Sequence, residues 1–106
     1  MTDITFYQVC SEEDIPEGDR LFIELDDEHV VIFHQDGEYY AIADVCTHDN
    51  GTLGEGELED HQVICPRHGA RFDITSGEVL TLPAVKGVKS YPVRVVDGMI
   101  EIGVEE

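Results

Sequence analysis

Basic side chains are the first scarcity in this chain. Only 6 lysines and arginines stand against 24 aspartates and glutamates among 106 residues, a formal net charge of −18 at pH 7. A phosphate-reading nucleic-acid binder needs a Lys/Arg surface, so that class is excluded. Docking on an anionic membrane is disfavoured for the same reason. Long apolar runs are missing too: none approaches the roughly 20 residues of a transmembrane helix. The stretch from Met1 to Cys10 is polar and alternating without a basic leader, and it reads as no signal peptide. Cysteine is scarce and odd in number, at 3, which suits a reduced compartment better than a disulfide scaffold. These absences give the expectation of a soluble, cytoplasmic chain that binds neither nucleic acid nor membrane.

No low-complexity tract, repeat or linker interrupts the chain, and 42% hydrophobic content suits a single domain over residues 1–106. What is present is a period close to two. Leu21, Ile23 and Leu25 alternate with Phe22 and Glu24; Ile100, Ile102 and Val104 alternate with Met99, Glu101 and Gly103; Val93 and Val95 oppose Arg94. That is the strand signal. Asp36-Gly37 and Asp97-Gly98, each between strand formers, read as type I′ hairpin turns. Asp26-Asp27 and Glu59-Asp60 are weaker turn signals of the same kind. One helical turn is expected at Ser11-Glu12-Glu13-Asp14, where a hydroxyl cap precedes acidic residues and Pro16 and Gly18 end the run. The fold class is therefore all-β and antiparallel, with roughly nine short strands.

Two glycine-bearing stretches break the alternation, about 44–56 and 65–77. Each carries one cysteine and one histidine: Cys46-Thr47-His48 in the first, Cys65-Pro66-Arg67-His68 in the second. Two thiolates and two imidazoles delivered by two loops make a metal site. A single tetrahedral zinc is one occupant of such a set, although the C-x-x-C knuckle common in zinc sites is missing.

The spacing C-x-H, sixteen intervening residues, then C-x-x-H resembles that of Rieske iron–sulfur proteins, and nearly the whole chain is similar to a Rieske-type [2Fe–2S] ferredoxin. The likeness continues through His68-Gly69-Ala70-Arg71-Phe72-Asp73, Ser76-Gly77 and Leu82-Pro83-Ala84. It implies a Rieske iron–sulfur fold, with the two cluster-binding loops on a small subdomain of antiparallel sheet. It further implies that Cys46 and Cys65 bind the inner iron and His48 and His68 the outer one, because in Rieske centres two histidines replace two cysteines on one iron. Backbone N–H groups around Gly51 and Gly69 are expected to point at cluster sulfurs.

The chain departs from the respiratory Rieske proteins it resembles. Those add a cysteine to each loop and join the two in a disulfide; here Gly51 and Arg67 stand in their places. They also carry serine and tyrosine hydroxyls after the second histidine, where this chain has Ala70 and Phe72. Two missing charge-assisted hydrogen bonds, at roughly 1.5–3 kcal/mol each, correspond to very roughly 130–260 mV. The expectation is a potential near the low end of the Rieske range, about −150 mV.

The remaining conspicuous residues have plainer readings. His29, His34 and His61 are read as surface or packed histidines, and Cys10 as a small buried hydrophobe. Phe6, Phe22, Phe33, Tyr39 and Tyr40 suit core or cross-strand positions. Pro83 either covers one side of the cluster, as its counterpart in relatives does, or ends a strand. Arg67 and Arg71 are either docking contacts or neutralising partners of Asp49, Asp73 or Glu78. The acidic excess either steers a redox partner or adapts the chain to salt.

With the four ligands assigned, no open metal position, no second 2-His-1-carboxylate set and no G-x-G-x-x-G loop remains. The expected function is that of a one-electron carrier, not an enzyme. By resemblance it passes electrons from an NAD(P)H-dependent flavoprotein reductase to a terminal oxygenase of a dioxygenase or monooxygenase system. The small subunit of a nitrite-reductase-like complex, a zinc-stabilised interaction module and a carrier for another acceptor are the alternatives.

Overall fold

The computed structural model describes residues 3–25, 27–45, 53–66, 69–81 and 87–105. Ten strands lie within them: β1 (Ile4–Ser11), β2 (Arg20–Leu25), β3 (Glu28–Gln35), β4 (Glu38–Ala43), β5 (Leu58–Glu59), β6 (Gln62–Ile64), β7 (Arg71–Asp73), β8 (Ser90–Tyr91), β9 (Val93–Val96) and β10 (Met99–Glu105). All pairings are antiparallel. They build three sheets, ordered β1-β10-β9, β2-β3-β4-β8 and β5-β6-β7. The fold is all-β, as the period of two predicts. Among the described residues no helix is long and apolar enough to cross a membrane.

The turn chemistry explains the hairpins. Asp36 and Gly37 (φ 53° and 78°) and Asp97 and Gly98 (φ 51° and 78°) both occupy the left-handed region, as type I′ turns demand. The β5–β6 turn falls one residue later than the sequence suggests. Glu59 pairs with Gln62, so Asp60 (φ 55°) and His61 form the turn. Aspartate tolerates positive φ through local hydrogen bonding of its side chain, and this places the turn at Asp60. The β2–β3 turn follows Leu25↔Glu28 pairing, with Asp27 at φ 64°; Asp26 lies outside the described residues. After β1, residues Glu12–Asp14 form a 3₁₀ turn with a complete capping box between Ser11 and Asp14, satisfying the donors that a helix start leaves open.

β3 organises the interior. Val30, Val31, Ile32 and Phe33 are all fully buried, yet alternate residues serve different cores. Val30 and Ile32 join Cys10, Ile15, Ala41, Tyr91, Ile100 and Ile102 in the core shared with the β1-β10-β9 sheet. Val31 and Phe33 face the other way and join Ile42, Leu53, Val63, Cys65, Ala70, Phe72, Ile74 and Val88. The small β5-β6-β7 sheet thus packs on the opposite face of the same strand. Of the five aromatics assigned to core or cross-strand positions, Phe33 is buried and Phe6, Tyr39 and Tyr40 are half-buried. Phe22 pairs with Val31 across the sheet but stays 46% exposed. Val93 packs on a core, whereas Val95 is exposed.

Candidate metal centre

Cys65 follows β6 directly, and β7 begins six residues later, at Arg71. The N–H of Cys65 donates to the carbonyl of Ala70 at 2.7 Å, and the N–H of Gly69 donates to the carbonyl of Cys65 at 3.0 Å. Gly69 has φ +76°, a value that glycine adopts without steric cost. Cys65 and Ala70 are buried at the neck of this turn, at 1% and 0% exposure. The Gly69 N–H itself is committed to the Cys65 carbonyl, which leaves the expected donors to cluster sulfurs among its neighbours.

The far end of the first loop lies against this neck. Gly56 approaches β6 so closely that a Cβ there would sit 1.7 Å from the Ile64 carbonyl oxygen. The N–H of Ile64 donates to Glu57 at 2.9 Å. Between the two segments opens a cleft of about 420 Å³, lined by residues 55–57, 64–66 and Gly69. A buried thiol on the wall of a cleft that two glycines, Gly56 and Gly69, help to line fits a sulfur-ligated inorganic cluster, since soft thiolates select such groups. Of the four candidate ligands, Cys65 is the one described; Cys46, His48 and His68 lie outside the described residues, as do Gly51, Asp49, Arg67 and Pro83.

Two side chains that the periodicity did not single out fasten the closing segment of the first loop. Asp44 Oδ1 accepts the N–H groups of Leu53 at 3.0 Å and Gly54 at 2.6 Å. Arg20 Nη1 donates to the carbonyls of Gly54 at 2.5 Å and Gly56 at 2.6 Å. The available signals were the position of Asp44, two residues before Cys46, and the rarity of a cation at Arg20.

The other histidines have structural partners. His34 stacks on Tyr39 at 4.2 Å, with Nδ1 2.8 Å from the Ile15 carbonyl and Nε2 3.5 Å from Glu17. His61 lies 3.3 Å from Asp36, and His29 lies 3.9 Å from Glu24. Burial first, and the Asp14 charge second, push the Cys10 thiol up, as its reading as a buried hydrophobe implies. Arg71 is a neutralising partner, but of Glu59 at 3.4 Å instead of Asp73 or Glu78, and it also donates to Gln62 Oε1 at 3.3 Å. β7 pairs with β6, which carries Arg71 toward the β5–β6 hairpin.

Known proteins agree with this architecture. Residues 5–92 match the family model described as the Rieske [2Fe–2S] domain. The chain is 42% identical over 99 residues to the 3-phenylpropionate/cinnamic acid dioxygenase ferredoxin subunit of Photorhabdus laumondii, covering 92% of this chain and 93% of that one. It is 36% identical over 83 residues to the ferredoxin component of naphthalene 1,2-dioxygenase/salicylate 5-hydroxylase systems of a Ralstonia species, covering 78% and 80%. Among solved structures, the ferredoxin of carbazole 1,9a-dioxygenase from Nocardioides aromaticivorans superposes with a TM-score of 0.86 at 27% identity, over 92% of this chain and 96% of that one. The buried thiol, the cleft beside it and the matched span lead to one conclusion: this chain belongs to the Rieske [2Fe–2S] domain family, and its cofactor is one Rieske-type [2Fe–2S] cluster.

Proposed function

We propose that this chain, acting as one domain over residues 1–106, is the ferredoxin of a multicomponent dioxygenase system. It is an electron-transfer component and not itself a catalyst. It receives electrons from an NAD(P)H-dependent flavoprotein reductase and delivers them one at a time to a terminal oxygenase. The cluster, when bound, supplies reversible one-electron chemistry. In this reading Cys46 and Cys65 hold the inner iron and His48 and His68 the outer one. The observation that carries it is Cys65, buried beside a cleft where the bases of the two loops meet, in a chain 42% identical to a dioxygenase ferredoxin subunit. The cytoplasm is the matching compartment, because it keeps such thiols reduced.

A carrier must bind two partners in turn, which calls for small and weak interfaces. The −18 net charge favours partners with a basic docking patch and makes the encounter depend on salt. The test is direct. The reduced protein shows the Rieske EPR signal and its visible band bleaches when a flavin reductase and NADH are added. His48→Ala and His68→Ala each abolish that signal while far-UV circular dichroism keeps its β signature. An unchanged spectrum in either variant refutes the ligand assignment; a colourless, iron-free wild type refutes the electron-carrier reading as a whole.

A further inference from the structure

Asp44 and Arg20 act on one short segment from opposite sides of its peptide groups. Asp44 accepts two successive N–H groups, those of Leu53 and Gly54. Arg20 donates from a single nitrogen to two carbonyls, those of Gly54 and Gly56, 34 and 36 residues away in sequence. Gly54 is thus held at both its N–H and its C=O. Both side chains are themselves anchored. The guanidinium of Arg20 lies 5.2 Å from the ring centroid of Phe33, which is fully buried. The backbone N–H of Asp44 donates to His29 at 2.8 Å. Beneath the segment, a Cβ on Gly54 would come within 2.9 Å of Val31 and Phe22, so nothing larger fits between it and the sheet.

The placement gives this its meaning. Asp44 opens the first loop and residues 53–56 close it, so the pair fastens both ends of the stretch that carries Cys46 and His48. The same residues 55 and 56 line the cleft beside Cys65. The chain has no cysteine in the first loop beyond Cys46, so no covalent bridge can secure that loop. We propose that Arg20 and Asp44 are positioning residues that clamp the neck of the first loop and thereby hold its two ligands on the cluster. This rests on the ligand reading given above. Charge-assisted hydrogen bonds suit the task, being about twice as strong as neutral ones.

The experiment follows the decay of visible absorption of the holoprotein in excess ferrous chelator, together with EPR of the reduced state and urea unfolding. Arg20→Met and Asp44→Asn are each expected to shorten the half-life of the absorption roughly tenfold or more, the size expected for one lost charge-assisted bond. Arg20→Lys keeps the charge but not the planar fork and falls between wild type and Arg20→Met. The double variant Arg20→Met/Asp44→Asn decays about as fast as the poorer single variant, because the two act as a unit. Half-lives within roughly twofold of wild type, with unchanged EPR line shape, overturn the clamp. So does a loss of half-life that merely tracks the urea midpoint across all variants. Should Arg20→Met not accumulate in folded form, Asp44→Asn and Arg20→Lys decide the matter. A wild type with no Rieske signal removes the ligand reading and the clamp together; a normal wild type with unaffected variants removes the clamp alone.

Discussion

Gly77 and Val88 meet backbone to backbone. The N–H of Val88 donates to the Gly77 carbonyl at 2.7 Å, and a Cβ on Gly77 would sit 2.0 Å from the Val88 carbonyl oxygen. This contact ties the chain that leads into β8 onto the turn after β7. Val88 is buried in the core that also holds Cys65.

Gly77→Ala is therefore expected to destabilise more than the same change at Gly18. Both glycines have positive φ, +81° and +86°, but Gly18 has open space around its Cβ position. Left-handed strain alone costs about 1–3 kcal/mol, and only Gly77→Ala adds a backbone collision. About 1 kcal/mol shifts the melting midpoint by roughly 4–8 °C in a domain of this size. Thermal melts of the two variants check this; equal midpoints contradict it.

Val30 and Val31 allow the same deletion on two faces of one strand. Both are fully buried, in different cores. Val→Ala at either site removes two methyl groups and should cost about 1.5–3 kcal/mol. Only Val31→Ala loosens the core beneath Cys65. We expect similar urea midpoints for the two variants but faster loss of visible absorption in Val31→Ala alone.

The carboxylate of Glu17 caps the β3–β4 hairpin, accepting the N–H groups of Gly37 at 2.9 Å and Asp36 at 2.7 Å. The Gly37 bond above all, opposed next by desolvation and then aided by the Asp36 bond and the charge of His34, holds it below the usual glutamate range. A lowered carboxyl stabilises the fold above its unfolded value, about 4.3 for glutamate, and loses that contribution as pH falls through its folded value. Glu17→Gln should accordingly lower the urea midpoint at pH 7, with the difference from wild type shrinking by pH 3. A constant difference across that range argues against the cap.

Ala70 and Phe72 are fully buried and carry no hydroxyl. Protein-film voltammetry is expected to give a potential of about −150 mV, at the low end for Rieske centres. Ala70→Ser restores one hydroxyl and should raise the potential by roughly 65–130 mV, the equivalent of one charge-assisted bond. A clearly positive wild-type potential contradicts the low-potential reading.

Much of this protein was legible in its sequence by itself. The period of two gave antiparallel strands, and Asp-Gly pairs gave hairpin turns whose positive φ values the structure bears out. The Ser11 cap gave the 3₁₀ turn at Glu12–Asp14, and the paired Cys/His loops gave the family. These signals travel because each depends on sterics and hydrogen bonds within a few residues. Tertiary structure alone decided the rest. The run Val30–Phe33 does not announce that its odd and even members serve two cores, because strand periodicity sets the two faces but not what covers them. Nor does any local pattern bring Arg20 to Gly54 and Gly56 or turn Arg71 toward Glu59. Such contacts join residues far apart along the chain, and they exist only once three sheets have packed around a shared strand.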